Sequence, residues 1–142
     1  MPLSLTRRAG RLAWRALRLR CVACGGRPIF TSWFRMLPNC TSCGFTFERG
    51  ERGYWLGAYF VNIMLMETVF CLWFVGVISW TYPVMRWELM QTGITVLMVV
   101  TPFLCHPFSK TLFVAFDLLV RPPAEPDFEA PEERAARVRP GI

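Results

Sequence analysis

Charge is scarce in this chain of 142 residues: 18% of positions are charged, against 54% hydrophobic and 15% aromatic, and the mean hydropathy is +0.34. That imbalance excludes an ordinary soluble domain, because so large an apolar excess needs a solvent other than water. Histidine is nearly missing too, with His106 alone. No motif gathers a nucleophile, a base and an oxyanion donor, which argues against an enzyme. Nor does an apolar stretch open the chain. The first twenty residues hold six arginines and nothing that could serve as the apolar region of a secretory signal, so the N-terminus is expected to stay in the cytoplasm. Acidic residues come mostly late, whereas ten of the sixteen basic residues lie before Gly53. The net charge of +6 therefore belongs to the N-terminal third.

Of the six cysteines, Cys71 and Cys105 stand alone in apolar stretches and read as small packing residues. The other four form two knuckles, Cys21-Val22-Ala23-Cys24-Gly25 and Cys40-Thr41-Ser42-Cys43-Gly44. Together they match the zinc spacing C-x2-C, a gap of 15 residues, and C-x2-C. Each turn aims two sulfurs at one point, and its glycine supplies the positive φ that lets backbone amides face the thiolates. Four thiolates about 2.3 Å from a tetrahedral ion make a closed structural site with no position left for a substrate. Structural Zn2+ on Cys21, Cys24, Cys40 and Cys43 is the reading. Iron takes the same ligands and stays open as the alternative metal. A redox dithiol of the thioredoxin kind needs a βαβ setting, which the pattern lacks.

The expected fold is a membrane protein: a small zinc-ribbon head of short β-hairpins around the four cysteines, a two-helix transmembrane hairpin, and an interfacial helix. Residues 1–20 form a basic amphipathic segment, with Arg7, Arg8, Arg11, Arg15 and Arg18 on one helical face and Leu5, Ala9, Leu12, Ala16 and Leu19 on another. Such a segment suits a helix lying on anionic lipid, where each basic residue adds about 1 kcal/mol, or a solvated and partly disordered tail. The ribbon occupies 21–47, and the polar, glycine-marked stretch 48–53 reads as a hinge.

From 54 to 81 the chain carries one charge, Glu67, with Tyr54, Trp55 and Tyr59 at one end and Trp80 and Tyr82 at the other. Roughly 20 apolar residues cross about 30 Å of hydrocarbon, and Trp and Tyr collect at the interfaces, so this is the first span. Residues 82–88 make a tight external loop, and 89–105 a second span that His106-Pro107 interrupts. The piece 106–120, with Lys110 and Asp117, either extends the span or bends away along the interface, and its proline and charges favour the interfacial helix. The tail 121–142, rich in Pro, Glu and Arg, should be disordered or briefly helical around 132–138.

Basic residues resist translocation. The first flank has ten, the connecting loop only Arg86, and the last flank Lys110, Arg121, Arg134, Arg137 and Arg139. Both termini are thus expected inside, with the cysteines in a reducing compartment. Between the knuckles, the aromatic and basic stretch 27–37 suits a covering for the metal and contact with lipid; stacking on nucleobases is the alternative. Glu67 lies mid-span, where an acid costs about 2.5–3.5 kcal/mol. Counted back from the loop it is level with Thr101 and with Pro102, whose missing N–H frees the carbonyl of Met98. The expectation is a neutral Glu67 bonded to the second helix, with proton-linked transport as the alternative role.

Two C-x-x-C-G knuckles, the segment Arg27-Pro28-Ile29-Phe30 between them, the alternation Phe45-Thr46-Phe47 and a two-span hairpin ending in a basic, proline-containing segment resemble DUF983, a family of small bacterial membrane proteins with no established activity. The resemblance covers roughly 21–120 and rests on Cys21, Cys24, Gly25, Phe30, Cys40, Cys43 and Gly44. It implies a zinc-ribbon head and a bacterial inner-membrane location. Members encoded beside respiratory oxidase components imply contact with a membrane-protein partner, in assembly or stabilisation of a complex. The family's proline after the first cysteine of each knuckle is Val22 and Thr41 here, which leaves ligation intact. Glu67 is outside the family pattern.

Overall fold

The structure, a computed structural model, describes residues 5–130. Its elements are a helix α1 (Leu5–Leu17), strands β1 (Phe30–Ser32) and β2 (Arg35–Met36), helices α2 (Trp55–Thr81) and α3 (Trp87–Val120), and a short 3-10 turn at Glu125–Asp127. β1 and β2 pair antiparallel, Phe30 opposite Met36, as the small hairpin expected between the knuckles.

α2 has 27 residues and α3 has 34, so at 1.5 Å per residue they run about 40 and about 51 Å. Both are long and apolar enough to cross a membrane. They form an antiparallel hairpin around the turn at 82–86. Two glycines let the helices approach closely: a Cβ on Gly57 would lie 2.1 Å from the Phe113 ring, and one on Gly93 would lie 2.2 Å from Trp73.

α3 departs from the sequence reading, since it passes through both Pro102 and Pro107 without a break. A proline removes the hydrogen bond to the carbonyl four residues earlier, which for Pro107 is that of Phe103. The indole Nε1 of Trp33 donates to that carbonyl at 2.8 Å, so the hairpin tip supplies the bond that the helix lost. Residues 106–120 are therefore not a separate interfacial helix. They continue the second apolar helix alongside the first turns of α2, where Phe113 meets Gly57, and form the platform on which the head sits.

The N-terminal segment is also corrected. It is a helix, but its Ala9, Leu12 and Ala13 side lies along Leu112, Ala115 and Phe116 of α3. The buried Thr111 hydroxyl donates to the Ala16 carbonyl at 3.0 Å, and Arg8 donates to the Leu118 carbonyl at 2.9 Å. The hydrophobic core joins these parts: Ala16 from α1, Val22, Ile29, Phe45 and Phe47 from the ribbon, and Val114 and Leu118 from α3. Head and helices share one core.

The expected hinge is fixed by charge. Arg49, in the left-handed region at φ 48, points inward with its side chain only 6% exposed. It bonds Asp117 Oδ2 of α3 at 2.9 Å and Asp127 Oδ2 of the tail at 2.7 Å, and donates to the carbonyls of Arg121 and Pro122. The Tyr54 hydroxyl donates to Asp117 Oδ2 at 3.1 Å, and Arg121 bonds both Asp117 and Glu51. Keeping a non-glycine residue left-handed costs about 1–2 kcal/mol, which these bonds offset. The tail is corrected with the hinge: Phe128 pairs with Phe45 and stacks edge-on against its ring, while Thr46 N donates to the Asp127 carbonyl and Glu129 N to that of Gly44. Residues 127–129 thus lie against the second knuckle, joined to it by a bridge and not as a tail apart from the ribbon. The helical turn expected at 132–138 lies outside the described residues.

Removing one partner of a buried ion pair strands the other charge, at about 3–5 kcal/mol. Arg49→Ala is therefore expected to lower the thermal midpoint of the detergent-solubilised protein strongly, and more than Arg121→Ala, whose side chain is half exposed. Calorimetry compares the two, and equal, small shifts would contradict the buried clamp.

Candidate metal centre

The two knuckles are built alike. In each, the glycine N–H donates to the carbonyl of the first cysteine, Gly25 to Cys21 at 2.7 Å and Gly44 to Cys40 at 2.9 Å. In each, the first cysteine N–H donates to the carbonyl five residues on, Cys21 to Gly26 at 3.0 Å and Cys40 to Phe45 at 2.9 Å. Both closures need positive φ, found at 87° for Gly25 and 75° for Gly44, which glycine adopts without steric cost.

The knuckles face each other and bring four sulfurs together. Cys21 Sγ lies 3.9 Å from Cys43 Sγ, Cys24 Sγ lies 3.8 Å from Cys40 Sγ, and all four are within 4.8 Å of one another. A tetrahedron with metal–sulfur bonds of about 2.3 Å has edges of about 3.8 Å, so the cage has the right size for one ion. The same spacings are far beyond a disulfide bond of about 2.05 Å. Cys21 and Cys40 are buried, Cys43 is half-buried and Cys24 is exposed at the rim. A polar N–H, that of Gly26, already points at Cys24 Sγ from 3.3 Å. The four cysteines predicted as ligands are thus the four brought together.

Without an ion the thiols are unequal. Burial pushes Cys21 well above an ordinary thiol, and burial pushes Cys43 up to about 11. Burial also acts on Cys40, but the backbone N–H groups of Cys43 and Ser42 outweigh it and hold that thiol below its ordinary value. A bound cation is what makes four adjacent thiolates compatible, so metal uptake releases protons.

Several residues that support the cage were not singled out from the sequence. Arg15 of α1, assigned there only to a basic face, donates through Nη1 to the carbonyls of Val22 at 2.9 Å and Ala23 at 2.7 Å, bracing the first knuckle from behind. Arg27 donates to the Arg18 carbonyl. Arg49, Asp117 and Asp127 clamp the far side. The one available signal was Asp117, an isolated acid in an apolar helix that calls for a cation.

The stretch 27–37 divides: Ile29, Phe30 and Met36 pack in one cluster with Cys21 and Cys40, and its tip turns elsewhere. Ile29 is buried in the shared core, but Trp33 and Phe34 reach away to α3, where Trp33 meets Phe108 edge-on and Phe34 packs on Phe103 and His106. Lys110 donates to the Phe34 carbonyl at 3.2 Å. Glu67 is likewise not where counting placed it. Asn62, not Glu67, reaches Pro102, donating to its carbonyl at 3.3 Å. Glu67 lies on the exposed side of α2, and its one hydrogen-bond contact is Cys71 Sγ at 4.0 Å. The count failed because the helices pair with Asn62 beside Pro102 and Trp73 beside Gly93, which turns Glu67 away from α3.

The family described as Protein of unknown function (DUF983) matches residues 30–117, more than half of the chain. The chain belongs to the DUF983 family. The match takes in the second knuckle, α2, most of α3 and the clamp residues Arg49 and Asp117, and begins after the first knuckle, so Cys21 and Cys24 rest on their C-x2-C spacing and on the geometry of the cage. No curated protein and no solved structure matches this DUF983 chain.

Cys21→Ser and Cys40→Ser, which remove the two buried ligands, are expected to abolish tight metal retention. Metal analysis of protein purified under reducing conditions should give about one ion per wild-type chain. A folded wild-type ribbon free of metal would overturn the site.

Proposed function

We propose that this DUF983 protein is a bacterial inner-membrane protein whose structural zinc ribbon is a rigid contact surface, helping to assemble or stabilise a larger membrane complex. The observation that carries the reading is the fusion of head and helices into one core, fastened by Arg49 to Asp117 and Asp127. A swinging tether would need a loose linker; a scaffold needs a fixed one. Zinc is favoured because four thiolates in a reducing compartment form the closed tetrahedral set it prefers. With all four positions filled by sulfur, the ion shapes the fold and leaves no place for a substrate, so the protein works by contact and not by catalysis.

Membrane insertion is supported by the aromatic girdles. Trp80, Tyr82 and Trp87 cluster at the turn end of the hairpin, and Trp55, Tyr59 and the docked Trp33 stand at the head end, as interfacial residues do. The count of basic residues puts the head and both termini on the cytoplasmic side. Nucleic-acid binding is disfavoured because the aromatics offered for stacking are engaged with α3. Proton transport is disfavoured because no second carboxyl, histidine or basic residue lies in 55–81 or 89–105 to relay a proton with Glu67.

Reporter fusions test the topology: a periplasm-dependent reporter is expected to be active in the 82–88 turn and silent at the C-terminus, and the reverse pattern would refute the orientation. The role itself is tested by mild-detergent purification of the full chain. A reproducible set of membrane subunits that is lost in Arg49→Ala is expected, and recovery of the same set with that variant would refute a role for the rigid head.

A further inference from the structure

Glu67 is a carboxyl near the middle of an apolar helix, about 18 Å from Trp55 at 1.5 Å per residue, on the side that faces away from the rest of the protein. In hydrocarbon such a group is stable only when neutral and paired. Its one neighbour here, the Cys71 thiol at 4.0 Å, is a weak donor and acceptor. The other polar groups on this face are already bonded within α2: Thr68 Oγ1 donates to the Met64 carbonyl and Ser79 Oγ to the Val75 carbonyl, each at 2.8 Å. The face is otherwise apolar and open, with Ile63 and Val75 exposed.

We propose that this face of α2 pairs with the same face of a second copy, the two Glu67 carboxyls hydrogen-bonding across a twofold axis along the membrane normal. A neutral carboxyl offers one donor and one acceptor, so its natural complement is another carboxyl. Twofold symmetry places that complement at the same depth with no further matching. The pairing leaves α3 and the ribbon free for other contacts.

The inference rests on the membrane-spanning reading, and its test separates the two. In the full chain carrying Cys105→Ser, Cys71 is the one thiol outside the metal cage, one turn from Glu67 on the paired face. Mild copper-phenanthroline oxidation of intact membranes is expected to give a disulfide-linked dimer that Cys71→Ser abolishes. Single-molecule photobleaching of the labelled, unoxidised protein in lipid bilayers should show two copies. Glu67→Gln, whose amide is also self-complementary, should keep the dimer. Glu67→Leu should weaken it about tenfold, equivalent to about 1.4 kcal/mol. Single copies of wild-type protein in the bilayer, or a dimer equally strong in Glu67→Leu, would overturn the proposal. Loss of the protein from alkali-washed membranes would instead refute the spanning reading itself.

Discussion

A guanidinium buried between two carboxylates fixes the position of nearly every other part. Arg49 sits where the ribbon ends and α2 begins, and its partners come from the last turns of α3 and from the tail. Three segments far apart in sequence therefore meet at one charge. Withdrawing such ions from water costs several kcal/mol each, and only a nearly complete set of bonds compensates. Here Asp117 also receives the Tyr54 hydroxyl and Arg121, and Asp127 also accepts from Ala124 N. Burial and the adjacent Asp117 carboxylate hold the Tyr54 phenol above its ordinary value, so it stays a donor. A cluster this specific tolerates one geometry, and that geometry keeps the head upright on α3.

The remaining contacts follow from that placement. With the ribbon held beside the extension of α3, the β1–β2 tip reaches the carbonyl that Pro107 leaves free, and α1 closes the opposite side through Ala16 and Arg8. The knuckles, α1 and the last turns of α3 then share a core too small to form from any one of them. A ribbon of this size has little apolar area of its own, and small domains depend on metal or on neighbours for stability. This one has both.

The metal cage and the two long helices were legible in the sequence because their signals are local. Cysteine spacing and glycine at each knuckle specify a turn within a few residues, and apolar length specifies a span. The rest depended on contacts between distant segments. A break at Pro107 is what local chemistry suggests, and only Trp33 arriving from the ribbon removes the reason for it. Residues 48–53 read as a hinge because glycine and charge favour loops, yet the partners that stiffen them lie about seventy residues away in sequence. Phe128 stands alone among polar residues in the sequence, and its partner Phe45 is more than eighty residues away. Glu67 was misplaced for a geometrical reason: counting from a turn fixes neither the register of the two helices, which sets Asn62 beside Pro102, nor the direction in which a side chain faces.

The claim on which the account turns is that the head and α3 are one rigid body. The most direct measurement is the distance distribution between two spin labels carried on unnatural residues, at Thr41 in the exposed part of the second knuckle and at Val120 at the end of α3, in the zinc-loaded protein in lipid nanodiscs. One narrow peak is the result the account predicts, broadening when Arg49 is replaced by Ala. A broad or multiple distribution in the wild-type protein would contradict it.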